Sequence, residues 1–375
     1  MSLIIAEIGT SHEGDEKKAF SLIDAAVDSG ADAVKFQWVY ADEILHPLTG
    51  IVNLPTGQIS LYSRFKQLEC TLDFYKKMCA YAHKKGVQFI CSPFGLRSLR
   101  ELLEIFPDAV KIASPELNHF PMLKALAEYR KNLSDQGKPV IPVILSSGVS
   151  KLRDIESAVS VIGKDSVSLL HCITSYPAPE DEYNVSLVAS LKDVFGIETG
   201  VSDHSLDPVL VPSLSTMCGS SVIEKHITLS RAAMGLDDPV ALEPEQFALM
   251  VHCVHQTEAA MNRYGKVKGR EIVINQLSES YGKEKVLAVI GDGIKKLAHA
   301  EEANYGRTNR SIHYMRSMKA GEYVSENDVA VLRTEKILSP GISPEFLDTV
   351  LGSVLVKDVD DGAGVKFEDF IKRAK

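Results

Sequence analysis

The first two thirds of the chain alternates short apolar runs with segments whose apolar residues recur at helical spacing. Each run is rich in β-branched residues and ends in polar or small residues, a pattern typical of a buried strand. Several of the helical segments end on glycine, the residue that most often follows a helix. The eight runs are "LIIAEIG", "DAVKFQ", "VQFICSPF", "AVKIASPE", "VIPVILSSG", "VSLLHCITS", "IETGVSDH" and "SSVIEKHIT".

Strands that alternate with helices pair in parallel through right-handed crossovers. Eight such units in roughly 260 residues match the size of a (β/α)8 barrel, the α/β TIM barrel. A doubly wound open sheet is the alternative. It is disfavoured because the first strand–helix turn, "EIGTSHEG", lacks the G-x-G-x-x-G spacing that seats a pyrophosphate. We therefore predict a TIM-barrel domain over residues 1–266.

The pattern changes after the last helical segment of the barrel. Residues 267–308 are mixed and charged, and they predict a linker with some helix and an extra segment. Residues 309–375 contain short strand-like runs, tight-turn signals and one or two helical turns, which predict a small second domain. A domain of that size is marginally stable alone, so we expect it to pack on another part of the protein.

Composition narrows the class of protein. The chain has 375 residues, of which 45% are hydrophobic and 24% charged, as in ordinary globular proteins. Its net charge of -9 argues against a general nucleic-acid binder. No apolar run is long enough to span a bilayer, and the N-terminus lacks the basic region of a signal peptide. The six scattered cysteines predict reduced thiols. We thus expect a cytoplasmic protein without nucleic-acid or membrane partners.

Lysines and serines occupy the ends of predicted strands, where a parallel strand is normally apolar. One lysine could simply pack its stem and extend its ammonium to the rim. Two lysines beside hydroxyl groups favour a pocket for phosphate or carboxylate. In a parallel barrel these strand ends form the catalytic face. The residues concerned are Lys35, Lys111, Ser92, Ser114, Ser146 and Ser202.

Two histidines, His204 and His226, end the seventh and eighth predicted strands. A histidine near a barrel rim is usually a hydrogen-bonded structural group, whereas two imidazoles on adjacent strand ends can bind one divalent ion. Glu224 lies two residues before His226, on the same side of its strand, and this favours the metal hypothesis. Two imidazoles without thiolates suit a catalytic ion that keeps open positions.

Nine motifs in order along the chain resemble the N-acetylneuraminate (sialic acid) synthase family. They are "IIAEIGTSHEGD", "DAVKFQ", "FICSPF", "VKIASPELNHFPML", "ILSSG", "LLHCITSYPAP", "GVSDHSLD", "VIEKHIT" and "ALEPEQF". The tail, with "MKAGEYVSENDVAVLR", "PGISP" and "GAGVKFEDF", resembles the family's antifreeze-like (β-clip, SAF) domain. The resemblance covers almost the whole chain apart from a stretch near residues 267–290.

The resemblance implies an enzyme that condenses phosphoenolpyruvate with the open-chain form of an N-acyl hexose. Water adds, phosphate leaves, and a nine-carbon 2-keto acid of the sialic acid type forms. The hexose would be N-acetylmannosamine or a 2,4-diacetamido hexose, and the cofactor Mn2+ or Mg2+. The resemblance also implies a homodimer formed by domain swapping, in which Arg333 of the tail reaches the partner subunit's site.

Matching motif by motif assigns roles to residues of this chain. The implied catalytic residues are Glu7, Lys35, Lys111 and Glu224. The implied phosphoenolpyruvate contacts are Lys35, Ser92, Lys111, Ser114, Ser146 and Ser202. The implied sugar contacts are Gln37, Glu116, Thr174, Tyr176, Asp237 and Arg333. The implied metal ligands are His204 and His226.

Two rival functions share parts of this pattern. Enzymes that make 3-deoxy keto acids from phosphoenolpyruvate and another sugar use a barrel, but they need a second phosphate site and lack such a tail. A noncatalytic sugar-binding barrel would keep the fold and lose some of the strand-end residues. The lysines, serines and histidines are all present here, and they favour the synthase.

Overall fold

A computed structural model describes residues 1–54, 57–233, 235–334 and 337–371. Eight parallel strands close into a barrel in which each strand pairs with its neighbours in the chain and the last pairs with the first. This confirms the predicted (β/α)8 architecture. The barrel strands are Leu3–Gly9, Ala33–Trp38, Gln88–Pro93, Ala109–Ile112, Val143–Ser146, Val167–Cys172, Glu198–Asp203 and Val222–His226.

The helices of eight or more residues surround the barrel because each carries one apolar face toward the outer side of the strands. Their buried residues join those of the strands in one continuous core. The described helices of four or more residues in the barrel domain are Glu16–Asp28, Ala41–Ile44, Leu61–Gln67, Leu72–Lys85, Leu96–Glu104, Phe120–Asp135, Leu152–Ile162, Leu187–Phe195, Leu210–Met217 and Pro244–Tyr281. A hairpin, Ile51–Leu54 with Gly57–Ser60, follows the second barrel strand.

The segment predicted as a linker is largely helical and docked on the barrel. The long helix Pro244–Tyr281 kinks at Gly265, and a further helix spans Lys283–Ile290. The backbone N–H of Val185 donates to the carbonyl of Val289 at 2.9 Å, which ties this helix to a barrel loop. A short helix, His299–Glu302, then leads into the tail.

The tail domain lies over the mouth of its own chain's barrel. Its two strands, Arg310–Tyr314 and Val329–Arg333, pair antiparallel above a small core of its own. A short helix spans Leu347–Val350. A parallel bridge between Leu45 and Arg333 joins the second strand of the tail to the loop after the second barrel strand. This docking satisfies the expectation that so small a domain packs on something larger.

Candidate active site

The barrel interior is built in layers that follow the two-residue alternation of a strand. The lowest layer is apolar and consists of Ile5, Ala33, Ile90, Ala109, Ile144, Leu170 and Val222. Two residues further along each strand the same inward side becomes polar, with Glu7, Lys35, Ser92, Lys111, Ser146, Cys172 and Glu224. Because inward positions recur every second residue, the anion-pocket residues predicted from sequence lie in one ring, except Ser114, which follows the fourth barrel strand. These residues line one cavity of about 330 Å³ at the carboxyl ends of the strands.

Four charged side chains of this ring form a buried cluster. The Lys35 ammonium lies 3.0 Å from Oε2 of Glu7 and 3.4 Å from Oε1 of Glu224. The Lys111 ammonium lies 3.7 Å from the same Glu224 oxygen, beyond the usual hydrogen-bond distance. Ser202 donates to that oxygen at 2.9 Å. Lys111 is therefore held by charge with donors still available to a ligand.

The two carboxylates of the cluster have opposite pKa shifts. Burial opposes ionisation of Glu224, but Lys111 and Lys35 outweigh it and lower its pKa to about 2. Burial raises the pKa of Glu7, with Lys35 opposing and Glu224 adding to the shift. Burial also lowers the pKa of Lys111. Carboxylates whose environments separate their pKa values suit different roles, Glu224 as a fixed anion and Glu7 as the group that exchanges a proton.

Serine hydroxyls complete the floor of the pocket. Ser146 Oγ is buried and has no hydrogen-bond partner within the described structure. Lys35 reaches Ser92 Oγ only at 3.5 Å. A buried hydroxyl without a partner is costly, so a ligand that accepts its hydrogen bond is expected here. Two ammonium groups and such a hydroxyl together suit a phosphate or carboxylate.

The candidate metal ligands lie one layer above. The ring centroids of His204 and His226 are 5.5 Å apart, and both rings line the cavity. Nδ1 of His204 lies 2.8 Å from the carbonyl oxygen of Ile173, which can only accept, so this nitrogen carries the hydrogen. Nε2 lies 3.3 Å from the Tyr176 hydroxyl. Burial lowers the pKa of His226 well below its usual value, which favours the neutral, ligating form.

Within the described ranges, no group of three or more His, Cys, Asp or Glu side chains is arranged to hold a metal ion. A site formed by the two imidazoles alone would leave further positions of an ion to substrate and water. Burial disfavours charge on His204, but Cys172 outweighs it and raises the pKa of His204 to about 9. A cation at Nε2 would have to displace that proton, as metals commonly do at histidine. His204 and His226 fit a metal ion provided that His204 loses the proton on Nε2.

Four of the six predicted sugar contacts line the cavity above the anion pocket through the strand ends or the loops that follow them. Gln37 donates to Glu7 at 2.8 Å, and the Tyr176 ring stacks on His204 with centroids 4.3 Å apart. Asp237 has one oxygen 3.9 Å from Nδ1 of His226. Burial, with Glu7 next in importance, raises the pKa of Asp237 to about 6. Thr174 Oγ1 is buried without a hydrogen-bond partner in the described structure.

The other two predicted sugar contacts, Glu116 and Arg333, form an ion pair. Glu116 is fully buried, does not line the cavity, and accepts hydrogen bonds from Arg310 and from Arg333, whose Nε lies 2.9 Å away. The structure thus gives Glu116 the role of holding Arg333, whose guanidinium lines the cavity and lies over the Phe94 ring. In this structure Arg333 serves its own chain's barrel, and the swapped dimer stays a prediction.

Sequence reasoning did not single out several residues at the cavity. Cys172 is the inward-facing position that follows Leu170 in its strand, so the two-residue alternation could have identified it. Asn304 and Thr308 come from the segment between barrel and tail, which carries no periodic signal. Arg310 is fully buried and donates to Glu116 and to the carbonyl of Phe94. Only the docking of the tail brings these last three to the site.

Comparison with known proteins agrees with this architecture. A model described as the NeuB family matches residues 22–266, and a SAF domain model matches residues 309–371. The chain belongs to the NeuB family. The resemblance read from the motifs is thereby confirmed, together with the SAF tail.

Relatives span the whole chain. N,N'-diacetyllegionaminic acid synthase of Campylobacter jejuni is 32% identical over 95% of this chain and 96% of its own length. Pseudaminic acid synthase of the same species is 27% identical over 98% of this chain and 96% of its own length. The solved spore coat polysaccharide biosynthesis protein SpsE of Bacillus subtilis is 29% identical, with a TM-score of 0.80 over 100% of this chain and 96% of that one.

This NeuB-family chain is an enzyme of the acid-synthase type, because its relatives are named as acid synthases. The noncatalytic alternative is not retained. Among the described residues, no helix combines the length and apolar character needed to cross a membrane.

Proposed function

We propose that this protein condenses phosphoenolpyruvate with an N-acyl hexose, releases phosphate and forms a nine-carbon 2-keto acid. The observation that carries the proposal is the ring of Lys35, Lys111 and Ser146 directly beneath two imidazoles in one cavity, where the Ser146 hydroxyl has no hydrogen-bond partner among the described residues. A ligand with a phosphate, a carboxylate and a reactive carbon between them matches this arrangement. Family membership supports the same reaction.

The charged residues of the ring bind phosphoenolpyruvate and stabilise the charge that develops during the reaction. Lys35 and Lys111 hold the phosphate and carboxylate of phosphoenolpyruvate and orient its C3 toward the sugar aldehyde above. As C3 forms the new bond, positive charge develops at C2 and negative charge at the aldehyde oxygen. The anionic Glu224 lies beside both lysines and can stabilise the cationic C2.

Water then adds to C2, and phosphate leaves from the resulting tetrahedral centre to give the 2-keto acid. Glu7, whose pKa burial raises, is the proton acceptor we propose for that water. Gln37 donates to Oε1 of Glu7 and fixes its orientation. Glu224 is thus the fixed anion, and Glu7 is the base.

We also propose that His204 and His226 hold a divalent ion, Mn2+ or Mg2+. When bound there, such an ion would polarise the sugar aldehyde and neutralise charge on its oxygen. Arg333, Asp237, Tyr176 and Thr174 surround the space above and would bind the sugar chain and its N-acyl group.

The sugar is a 2,4-diacetamido hexose or N-acetylmannosamine. Relatives named for diacetyllegionaminic and pseudaminic acids favour the diacetamido class. The test is a panel of N-acyl hexoses and sugar phosphates, with phosphate release from phosphoenolpyruvate measured in Mn2+, in Mg2+ and after chelation. We expect release with one N-acyl hexose and its loss on chelation. Release only with a sugar phosphate that lacks an N-acyl group would instead favour the 3-deoxy keto acid synthases.

The homodimer with exchanged tails is testable in the same assay. A swap preserves each contact and moves it across the subunit boundary, so Arg333 would then meet Glu116 of a partner subunit. Lys111→Met and Arg333→Met proteins would be mixed, refolded together and assayed at a sugar concentration well below the parent KM, where each variant alone has little activity; activity should rise if the tails exchange. No recovery, with both proteins folded, would contradict the swapped arrangement.

A further inference from the structure

Glu301 belongs to the short helix between barrel and tail, and its carboxylate is buried inside the barrel mouth. Only 1% of the residue is exposed. Oε1 accepts from the backbone N–H of Val149 and from that of Thr174, each at 2.7 Å. These two donors follow the fifth and sixth barrel strands. One carboxylate oxygen from outside the barrel therefore joins two neighbouring loops of the active site.

Val149 has an uncommon backbone conformation that this segment holds from both sides. Its φ is +41°, in the left-handed region that β-branched residues rarely adopt. Glu301 accepts from its N–H at 2.7 Å, and the Asn309 side chain donates to its carbonyl at 3.1 Å. Lys295 adds a bond to the carbonyl of Ser147 at 3.0 Å. Strained backbone persists only where surrounding contacts fix it, and here residues 295–309 supply those contacts.

The loop held in this way passes directly behind two predicted substrate contacts. A Cβ on Gly148 would lie 2.1 Å from Thr174 Oγ1, 2.8 Å from Ser114 Oγ and 3.1 Å from Glu301 Oε1. The N–H of Gly148 also donates to Ser114 Oγ at 3.0 Å. With so little free space, a shift of this loop must move the Thr174 and Ser114 hydroxyls.

We propose that Glu301 is a positioning residue that fixes Thr174 against the sugar by clamping the loops that contain Val149 and Thr174. Glu301 does not line the substrate cavity, and it acts only through these backbone contacts. The inference rests on the proposed function and extends it to a residue of the segment between barrel and tail. It also makes that segment, with Asn304 and Thr308, part of the sugar side of the site.

The position of the contacts predicts an unequal effect on the two substrates. The backbone N–H of Thr174 donates directly to Glu301, whereas Ser114 is reached only through Gly148. Loosening the clamp should therefore weaken sugar binding more than phosphoenolpyruvate binding. A glutamine retains an oxygen that can accept both N–H groups, whereas an alanine retains neither bond.

The test compares Glu301→Ala with Glu301→Gln, and uses Glu302→Gln as the matched control on the exposed side of the same helix. We expect Glu301→Ala to raise the KM for the sugar by about tenfold or more, the size of one strong buried hydrogen bond. The KM for phosphoenolpyruvate should change less, Glu301→Gln should restore most of the sugar affinity, and Glu302→Gln should match the parent protein.

A double-mutant comparison separates positioning from general stabilisation. In a Thr174→Ala background, Glu301→Ala should raise the sugar KM much less, because the group that it positions is absent. Calorimetric binding of the reduced, unreactive sugar gives the same comparison without turnover. Equal sugar affinity in Glu301→Ala and the parent, or an equal loss for both substrates, would overturn the inference. If the parent protein turns over no N-acyl hexose, the proposed function fails instead.

Discussion

The lower ring of the cavity and the wall around Arg333 are stabilised in different ways. In the ring, strand register places Lys35 beside Glu7 and Glu224 beside Ser202, so covalent alternation along each strand sets the geometry. Around Arg333, the geometry is set instead by a buried ion-pair network and by docked segments that are distant in sequence. The positions of the ring side chains are fixed once the barrel forms, whereas the wall around Arg333 also requires the tail and the linker to be docked on the barrel.

The largest expected effect comes from the ring. Lys111→Met keeps the length of the side chain and removes the charge that faces the substrate anion. Since the loss of a single charge-stabilising group in a closed site costs about a thousandfold, kcat/KM should fall by roughly that factor. Steady-state phosphate release measures it. The variant should remain folded at the assay temperature, and activity within a few fold of the parent would contradict the role of this lysine.

A second prediction concerns Lys225, a lysine of a barrel strand whose side chain does not point into the barrel. Lys225 is one residue from Glu224 but points outward, where its ammonium lies 2.5 Å from Asp203 and also meets the carbonyl of Ser205. Lys225→Met leaves the Asp203 charge buried and unpaired, which should lower the free energy of unfolding by about 3–5 kcal/mol. Denaturant unfolding measures this loss. A Lys225→Met protein with Asp203→Leu should recover stability, and failure to recover would show that the pair is not the cause.

A smaller effect is expected at the tail side. Arg333→Met should raise the KM for the sugar by about ten- to a hundredfold, because a charged donor that lines the cavity is lost. The KM for phosphoenolpyruvate should hardly change. Lys319→Met, on an exposed face of the same domain, is the control. If both substrates were affected alike, Arg333 would belong functionally to the ring.

The smallest effect is a dependence of stability on pH. Burial, followed by Glu7, raises the pKa of Asp237 to about 6, above its value in the unfolded chain. Its contribution to stability is therefore complete below the unfolded pKa and is lost as the pH rises through about 6. Asp237→Asn, which cannot ionise, should melt higher than the parent at pH 8, with a clearly smaller difference at pH 5, measured with chelator present. A difference that is equal at both pH values would exclude this titration.

The residues of the ring could be predicted from the sequence more fully than those of the wall around Arg333. Alternation within short strands locates Lys35, Lys111 and Ser146 without any tertiary information, because a parallel barrel turns every second residue inward. Glu116 was assigned to the sugar although it is buried behind Arg333, since no local pattern shows which ion pair a carboxylate joins. Glu301, Asn304 and Thr308 were missed for the same reason, as docking rather than periodicity brings them to the cavity.

Calorimetric binding of phosphoenolpyruvate to the parent, Lys111→Met and Lys225→Met proteins tests whether the anion pocket is built by lysines that point into the barrel, and not by positive charge in general. The measurement is made at a temperature where all three proteins are folded. Binding should be lost in Lys111→Met and retained within a few fold in Lys225→Met. Equal affinity in all three proteins, or equal loss in both variants, would contradict a pocket built by lysines that point into the barrel.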